Sequence, residues 1–237
     1  RLVYAPGAAE RMHGFLGNTA FVNGVPRPTA RVPAGVVRLR LLNAANARNF
    51  DLSFDDGRSF LLVATEQGAI AAPPTLDRLR LTPGERAEIL VEFGEHGAAR
   101  LVSLPHAETR GTMSGGGMMH DMLPVPEVFT APIPLADFAV DGDLPIAVRT
   151  LPASLDGAAA PPPPPVTRQF VLNDMGAMMG GGMAMGDGMA GDGGLVFAIN
   201  GQPFDMGRLD LAVGADTTER WIVSGQMMGH PFHVHGA

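Results

Sequence analysis

The stretch Val37-Arg38-Leu39-Arg40-Leu41 indicates the fold class, because apolar and charged residues alternate along it one by one. A period of two is the pattern of a β-strand that turns one face to a core and the other to water. In residues 87–93, four apolar residues alternate in the same way with glutamates and a leucine. We therefore predict a fold built on half-buried strands.

Further apolar runs of strand length occur along the chain, and Gly, Pro, Asn or Asp residues separate many of them. No segment shows a sustained period of 3.6 with helix-capping residues. Short strands divided by turn residues predict an all-β sandwich or barrel. Asp51, Asp55 and Asp56 are predicted to flank a turn at Gly57. The further strands are predicted at residues 60–63, 100–104, 169–172 and 220–223.

Length and composition exclude several classes of function. A chain of 237 residues has room for one large domain or two of about 100 residues. A net charge of −7 argues against a nucleic-acid partner, since phosphates need a basic surface. No run of about 18 apolar residues is present, so no membrane span is predicted. The chain has no cysteine, so it can form neither a disulfide nor a thiolate ligand of its own.

The composition changes between residues 141 and 166, where alanines lead into five consecutive prolines at 161–165. Proline runs of this kind adopt an extended, semi-rigid conformation that separates folded units. We therefore predict a first domain at residues 1–140, a linker at 141–166 and the start of a second domain at 167–237.

A weak internal repeat supports this division. An Asn-Gly pair, the strongest short signal for a β-hairpin turn, follows an apolar run at Asn23 and again at Asn200. Further along, Asp51 and Ser53 of the first copy stand where the second copy has His233 and His235. Histidines at these positions are therefore not a requirement of the fold, and we interpret them as functional.

His230, His233 and His235 form an H-x-x-H-x-H motif. Imidazole is a preferred ligand of copper and zinc. On an extended strand, His233 and His235 project from the same face, while His230 precedes the strand and can turn elsewhere. This spacing can serve two metal centres. The alternative is a histidine-rich segment whose side chains form only local hydrogen bonds.

Copper suits this motif better than zinc, although the motif alone does not decide between them. A structural zinc site is closed by four ligands that commonly include cysteine, and this chain has none. A histidine pair on a strand also differs from the helical H-E-x-x-H pattern of zinc proteases. A complete site therefore needs ligands from sequence beyond these residues.

A second chemical signal is a methionine-rich segment between residues 175 and 189, in which glycine and aspartate separate the methionines. Thioether sulfur is a soft ligand that selects Cu(I), and so many glycines disfavour a helix. The alternatives are a flexible low-complexity loop or adaptable packing. Another methionine, Met228, lies just before His230. The methionines of the segment are Met175, Met178, Met179, Met183, Met185 and Met189.

Residues 219–225, followed by the motif at 230–236, resemble the opening of the third domain of bacterial multicopper oxidases. Residues 38–48 resemble the second domain of the same enzymes, and residues 199–206 are also similar. The methionine-rich segment is similar to an insert of the copper-efflux (cuprous oxidase) branch. The resemblance implies tandem cupredoxin-like Greek-key β-sandwiches. The first would lack copper ligands, and the second would be truncated in this chain.

The resemblance also implies an activity. Enzymes of this family oxidise a substrate one electron at a time at a type 1 copper and reduce O2 to water at a trinuclear copper centre. By similarity, His230 would ligate the type 1 copper, His233 the type 2 copper and His235 a type 3 copper. Met228 matches a methionine near the cuprous substrate site. Gln226 replaces the aspartate of that site, which argues against a Cu(I) site built in the same way.

The chain also departs from the family pattern, because the H-C-H segment and the first-domain H-x-H motifs are not in it. We expect these residues alone to be inactive and to work with the remaining domains of the full-length chain. The expected substrates are O2 and Cu(I), as in copper detoxification, or another small reductant, and the expected location is periplasmic or otherwise exported. Two alternatives stay open: a laccase-like oxidase of phenols or metal ions, and a non-catalytic cupredoxin scaffold of the cell envelope.

Overall fold

The computed structural model describes the following residues of the chain: 5, 14–17, 19–66, 68–105, 131–152, 154, 162–172, 198–225 and 231–234. Every regular element within these ranges is a β-strand, so the predicted all-β class is confirmed. In the same ranges, no helix is long and apolar enough to cross a membrane.

The chain divides into two compact units, and β1 to β12 of the described residues belong to the first. These strands are β1 (Phe21–Val22), β2 (Val25–Pro26), β3 (Thr29–Val32), β4 (Val36–Leu42), β5 (Phe50–Phe54), β6 (Phe60–Thr65), β7 (Gly68–Ala69), β8 (Thr75–Leu76), β9 (Leu79–Leu81), β10 (Arg86–Glu92), β11 (Ala99–Ser103) and β12 (Ile133–Val140). The two alternating stretches that open the sequence argument form β4 and β10, which pair antiparallel along their full length.

The first unit is a two-sheet sandwich. One sheet has the order β4-β10-β6-β7, with β8 also paired to β6, and the other has the order β3-β12-β11-β5-β9. The strands from β3 to β6 and from β8 to β11 alternate between these two sheets, whereas β1 and β2 form a separate two-stranded sheet. The inward side chains of both sheets form one core, to which Phe60 of β6, Ile89 of β10 and Leu101 of β11 contribute.

Four phenylalanines form the centre of this core. The Phe54 ring lies 6.1 Å from the rings of both Phe60 and Phe138, and the Phe93 and Phe138 rings are 5.4 Å apart. Burial of each such ring contributes about 1.5–3 kcal/mol to folding. The Arg58 guanidinium covers the cluster, 5.1 Å from the Phe93 ring centre. It donates hydrogen bonds to four backbone carbonyls and to a carboxylate, so its buried charge is satisfied.

Asp51 is the clearest correction to the sequence prediction, because it does not belong to the turn at Gly57. Asp55 and Asp56 do form that turn, and Gly57 has a φ of 75°. Asp51 instead lies within β5, where only 2% of the residue is exposed. β5 is an inner strand flanked by β9 and β11, and Asp51 is therefore buried.

The second unit, within the described residues, consists of β13 (Val166–Leu172), β14 (Ala198–Ile199), β15 (Gln202–Pro203) and β16 (Glu219–Gly225). Their order in the sheet is β15-β14-β13-β16, with β13 and β16 parallel. The Asn200 side chain accepts a hydrogen bond from the Val171 amide at 2.8 Å and donates one to the Gln169 carbonyl at 3.1 Å. These two bonds fasten the β14–β15 hairpin to β13.

Both predicted Asn-Gly hairpins are present. Asn23 and Gly24 connect β1 to β2 with φ values of 51° and 80°, and Asn200 and Gly201 connect β14 to β15 with φ values of 50° and 72°. Two successive positive φ values define a type I′ turn, which matches the twist of the paired strands. Asparagine and glycine tolerate this conformation better than other residues do. The local sequence therefore determines both turns.

Candidate metal centre

The structure describes the middle of the predicted histidine motif, residues 231–234. Of the predicted ligands, His233 is therefore described, whereas His230 and His235 lie outside the described residues. Met228 and the six methionines of the segment 175–189 also lie outside them. The assignment of these side chains to copper stays a prediction.

Residues 231–234 differ from the sequence expectation in their backbone, because the structure assigns no strand to them. The corresponding residues of the first copy lie in β5, which hydrogen-bonds to β9 on one side and β11 on the other. No described strand forms such a ladder with residues 231–234. A strand needs neighbouring backbone to satisfy its hydrogen bonds, and the alternation in sequence does not supply that.

The His233 imidazole is partly accessible, with 41% of its side chain exposed. Its Nδ1 lies 3.5 Å from Oε2 of Glu66, a residue assigned to the same compact unit as His233. The Arg86 guanidinium is 3.1 Å from the same carboxylate oxygen, and the Glu66 carboxylate also accepts a hydrogen bond from the Arg86 amide. Within the described residues, Oε2 of Glu66 has no hydrogen-bond partner, so the carboxylate lies near the ring nitrogen without a hydrogen bond to it.

Phe232, the residue before His233, belongs to an aromatic cluster of the second unit. Its ring centre lies 6.1 Å from that of Phe170 on β13 and 6.4 Å from that of Trp221 on β16. Phe170 and Trp221 are themselves 4.9 Å apart, at an angle of 54°. Tilted and edge-on contacts at these distances are favourable for aromatic rings. The cluster therefore attaches the histidine motif to two neighbouring parallel strands.

An ion pair holds the indole of this cluster. The Trp221 Nε1–H donates a hydrogen bond to Oε2 of Glu219 at 2.9 Å. Arg168 donates to both carboxylate oxygens of Glu219, from Nε at 2.6 Å and from Nη2 at 2.8 Å. The hydrogen bonds from Arg168 and then from Trp221 lower the pKa of Glu219 to about 2. Glu219 is therefore an ionised acceptor at neutral pH.

Sequence reasoning identified neither the contact of Glu66 with His233 nor the Arg168–Glu219 pair. Arg168 and Glu219 are 51 positions apart, and only the parallel register of β13 and β16 brings them together. No local pattern predicts which strands pair or in which register. The available signal was limited to Glu219 and Trp221, two residues apart and so on the same side of a predicted strand.

The corresponding position of the first unit holds no metal-ligand pattern. The Asp51 carboxylate is paired with the Arg78 guanidinium and, at 3.0 Å, with that of Arg80. Ser53 donates a hydrogen bond from its hydroxyl to the Asp77 carbonyl at 2.8 Å. Two cations already neutralise the one carboxylate, so this position offers no free charge to a metal ion.

The donors present fit copper by type. Imidazole is a suitable copper ligand, and the His233 ring is exposed enough to reach an ion. Within the described ranges, no group of three or more His, Cys, Asp or Glu side chains is arranged to hold a metal. A complete site on this motif therefore needs His230, His235 or residues from beyond the chain.

Comparisons with known proteins agree with this structure. Two family models, each described as multicopper oxidase, match residues 10–100 and 161–237. The fold and the motif define a cupredoxin-like chain of the copper-oxidase type. The chain belongs to the multicopper oxidase family, and membership of this family implies copper binding.

Solved structures show the same relationship. The chain is 37% identical, with a TM-score of 0.74, to a laccase-like multicopper oxidase, CueO, from the lignin-degrading bacterium Ochrobactrum sp., and the match covers 98% of this chain and 48% of that one. It also shares the fold of a multicopper oxidase from Campylobacter jejuni, described as a metallo-oxidase, with 24% identity and a TM-score of 0.69. That match covers 97% of this chain and 45% of the other.

Curated relatives are named for cell division and not for oxidation. The cell division protein FtsP of Dickeya dadantii (strain 3937) is 34% identical over 94% of this chain, and that of Edwardsiella tarda (strain FL6-60) is 35% identical over 94%. The chain spans less than half of the length of these relatives, 42% in both cases.

Proposed function

We propose that the full-length protein is a copper-dependent oxidase, periplasmic or otherwise exported. It takes electrons one at a time from a small reductant, with Cu(I) as the favoured substrate, and reduces O2 to water. The observation that carries this proposal is the triplet His230, His233 and His235 in a chain that is 37% identical to a laccase-like oxidase. A non-catalytic domain of this fold does not need the triplet, since the first unit forms its β5 without it.

The histidines have distinct roles in this proposal. His230 ligates the type 1 copper that accepts electrons, His233 the type 2 copper, and His235 a type 3 copper of the trinuclear centre. Bound copper supplies the one-electron redox chemistry. His233 contributes a partly exposed imidazole, whose Nδ1 lies 3.5 Å from the Glu66 carboxylate.

The methionines are the reason for favouring Cu(I) over a phenol as the reductant. We assign residues 175–189 and Met228 to Cu(I), because thioether sulfur is a soft ligand with no special affinity for phenols. In the domain plan that accompanies this assignment, residues 1–140 are a domain without copper ligands, 141–166 a linker, and 167–237 the start of the copper-binding C-terminal domain. The ligands missing from this set belong to the remaining domains of the full-length chain.

Two other functions have specific support. The similarity to an oxidase described as acting on lignin model compounds and lignosulfonate favours a laccase-like oxidase of phenols. The similarity to proteins named for cell division favours a non-catalytic scaffold of the cell envelope. The first differs from our proposal in its reductant, and the second in lacking turnover.

Oxygen uptake by the full-length protein tests all three. We expect uptake with Cu(I) to exceed that with a phenol, and deletion of residues 175–189 to lower the Cu(I) rate at least about tenfold with little effect on the phenol rate. The matched variants are His233→Ala, which should abolish uptake, and His96→Ala, an exposed histidine outside the motif, which should leave it unchanged.

Each alternative gives its own result. A phenol rate that exceeds the Cu(I) rate, with no effect of the deletion, identifies a laccase-like oxidase. A folded full-length protein that contains no copper after reconstitution and consumes no O2 with either reductant contradicts the oxidase and supports the scaffold.

A further inference from the structure

The two Asn-Gly turns of the chain share a backbone geometry but differ in what holds the asparagine side chain. Both are type I′ turns, and Asn23 and Asn200 are both exposed. The Asn200 side chain is held at both ends, because its Oδ1 accepts a hydrogen bond from the Val171 amide and its Nδ2 donates one to the Gln169 carbonyl. Within the part of the chain that the structure describes, the Asn23 side chain has no hydrogen-bond partner. Of the two side chains, that of Asn23 is therefore the one that can rotate towards the backbone that follows it.

The hairpins that contain these turns also differ in their support. β1 and β2 form a two-stranded sheet of their own, closed by two pairs of residues. This hairpin packs against the core through Val22, whereas Val25 is 49% exposed. The β14–β15 hairpin instead continues a four-stranded sheet through β13. A two-stranded hairpin alone is only marginally stable in water, so the turn at Asn23 opens at a lower free-energy cost than the turn at Asn200.

An Asn-Gly turn that opens can react with itself. The backbone nitrogen of Gly24 attacks Cγ of Asn23, and the new C–N bond closes a five-membered succinimide ring. The bond from Cγ to Nδ2 breaks, and the Gly24 amide proton passes through water to the leaving nitrogen, which departs as ammonia. Water then adds to one of the two ring carbonyls and gives aspartate or isoaspartate. Glycine favours the attack because it has no side chain beside the reacting nitrogen.

We propose that Asn23 is a site of spontaneous deamidation in the folded protein and that Asn200 is protected from it. Both hydrogen bonds of the Asn200 side chain must break before its Cγ can approach the Gly201 nitrogen, whereas Asn23 needs only the opening of its hairpin. Deamidation adds a negative charge at residue 23, and isoaspartate also lengthens the backbone of the turn. A lengthened turn no longer matches the twist and spacing of β1 and β2, so isoaspartate separates these two strands.

The test measures both sites in one sample of the full-length protein, incubated under mildly alkaline conditions. Peptide mapping by mass spectrometry follows each asparagine, and water labelled with heavy oxygen marks the carboxyl groups formed during the incubation. We expect Asn23 to deamidate at least about tenfold faster than Asn200, because two hydrogen bonds hold the Asn200 side chain.

The same protein unfolded in denaturant is the matched control. Each asparagine follows a β-branched residue, Val22 or Ile199, and precedes a glycine, so their local sequences are alike. We therefore expect the two rates to be nearly equal in the unfolded chain. A difference that exists only in the folded protein then comes from the structure and not from the sequence around each site.

A second measurement separates the added charge from the lengthened backbone. Hydrogen exchange of residues 21–26 is compared among wild type, the isoaspartate product isolated by chromatography, and Asn23→Asp. Asn23→Asp adds the charge but keeps the ordinary backbone, so its exchange should stay close to that of wild type. The isoaspartate product should exchange faster in residues 21–26, with unchanged exchange in β4.

Three results would overturn the proposal. These are equal rates at the two sites in the folded protein, a faster reaction at Asn200, and an Asn23 that stays intact in the folded protein while it reacts in denaturant. None of the measurements involves copper or oxygen uptake. Their outcome is therefore independent of whether the proposed oxidase function is correct.

Discussion

The two copies of the repeat use corresponding residues for different purposes. In the first, Asp51 lies in the inner strand β5, and 3% of its side chain is exposed. In the second, the corresponding residue is His233, which is 41% exposed and lies outside any described strand. A metal ligand needs access to the ion, whereas a buried carboxylate needs a fixed partner. The first position is therefore arranged for stability, and the second is suited to binding.

The repeat therefore accommodates either a buried carboxylate with ion-pair partners or an accessible imidazole at this position. The first unit neutralises its buried charge internally, with Arg78 and with Arg80, whose strand pairs with β5 in register. The second copy has a histidine at this position, and 41% of the His233 side chain is exposed. In the proposed function, copper binding is thus attached to one copy of a repeated scaffold and is not needed to form the other copy.

The largest loss of stability is expected when both arginines that pair with Asp51 are removed. Arg78→Ala combined with Arg80→Ala leaves the Asp51 carboxylate buried without a partner, and breaking a buried ion pair from one side costs about 3–5 kcal/mol. Both arginines are partly exposed, so we expect the lower end, about 3 kcal/mol. Hydrogen exchange of β5 and β9 peptides in the full-length protein measures this local loss.

The matched control adds Asp51→Ala to the two arginine changes. Because it removes the unpaired charge, the triple variant should regain part of the lost stability. Equal exchange rates in the double and triple variants would show that the arginines act through packing and not through the Asp51 charge.

The second prediction concerns the stability of the folded state at low pH. Burial raises the pKa of the Asp51 carboxyl, but hydrogen bonds and charge from Arg78 and Arg80 outweigh it and leave the pKa below its ordinary value. The folded state then keeps the charge to lower pH than the unfolded chain does. The resulting stabilisation is complete well above the ordinary aspartate pKa of about 4, and it is lost as the pH falls from that value through the lower pKa of the folded state.

Asp51→Asn should therefore show a smaller drop in melting temperature than wild type when the full-length protein is moved from about pH 7 to about pH 3, below the ordinary aspartate pKa. Calorimetry at matched ionic strength measures the melting temperatures of both proteins. An identical drop in both proteins would exclude Asp51 as a source of the acid sensitivity.

The third and smallest effect is at Ser53, which corresponds to His235. Ser53→Ala removes the hydroxyl that bonds the Asp77 carbonyl, and one such bond contributes about 1 kcal/mol. Hydrogen exchange of β5 should report this loss, while the copper content of the full-length protein should not change. A lowered copper content would mean that the first-unit position takes part in metal binding after all.

Local pattern predicted much of the fold. The alternation of β4 and β10 and the Asn-Gly pairs specify strands and turns within a few residues of themselves. The strand β12 was not predicted, because Pro134 and Asp137 interrupt its alternation. Pairing with β11 across a bulge beside Pro134, and in parallel with β3, stabilises it nonetheless.

For the candidate site, the sequence predicts the ligands, and their assignment to copper stays a prediction. The residue types and spacing of the histidine motif indicate metal binding without any structure. The contacts between β13 and β16 depend on nonlocal pairing, since the parallel register of these strands brings Arg168 to Glu219 and Phe170 to Trp221. The predicted strand at His233 failed for the same kind of reason, because a strand depends on neighbours that the local sequence does not specify.

The central claim is that the second copy of the repeat binds copper and the first does not. The most direct measurement is the copper content of the purified full-length protein after reconstitution, compared among wild type, His233→Ala and Asp51→Asn. The account predicts that His233→Ala loses copper while Asp51→Asn keeps the wild-type content. Wild-type copper content in His233→Ala, or loss of copper in Asp51→Asn alone, would contradict it.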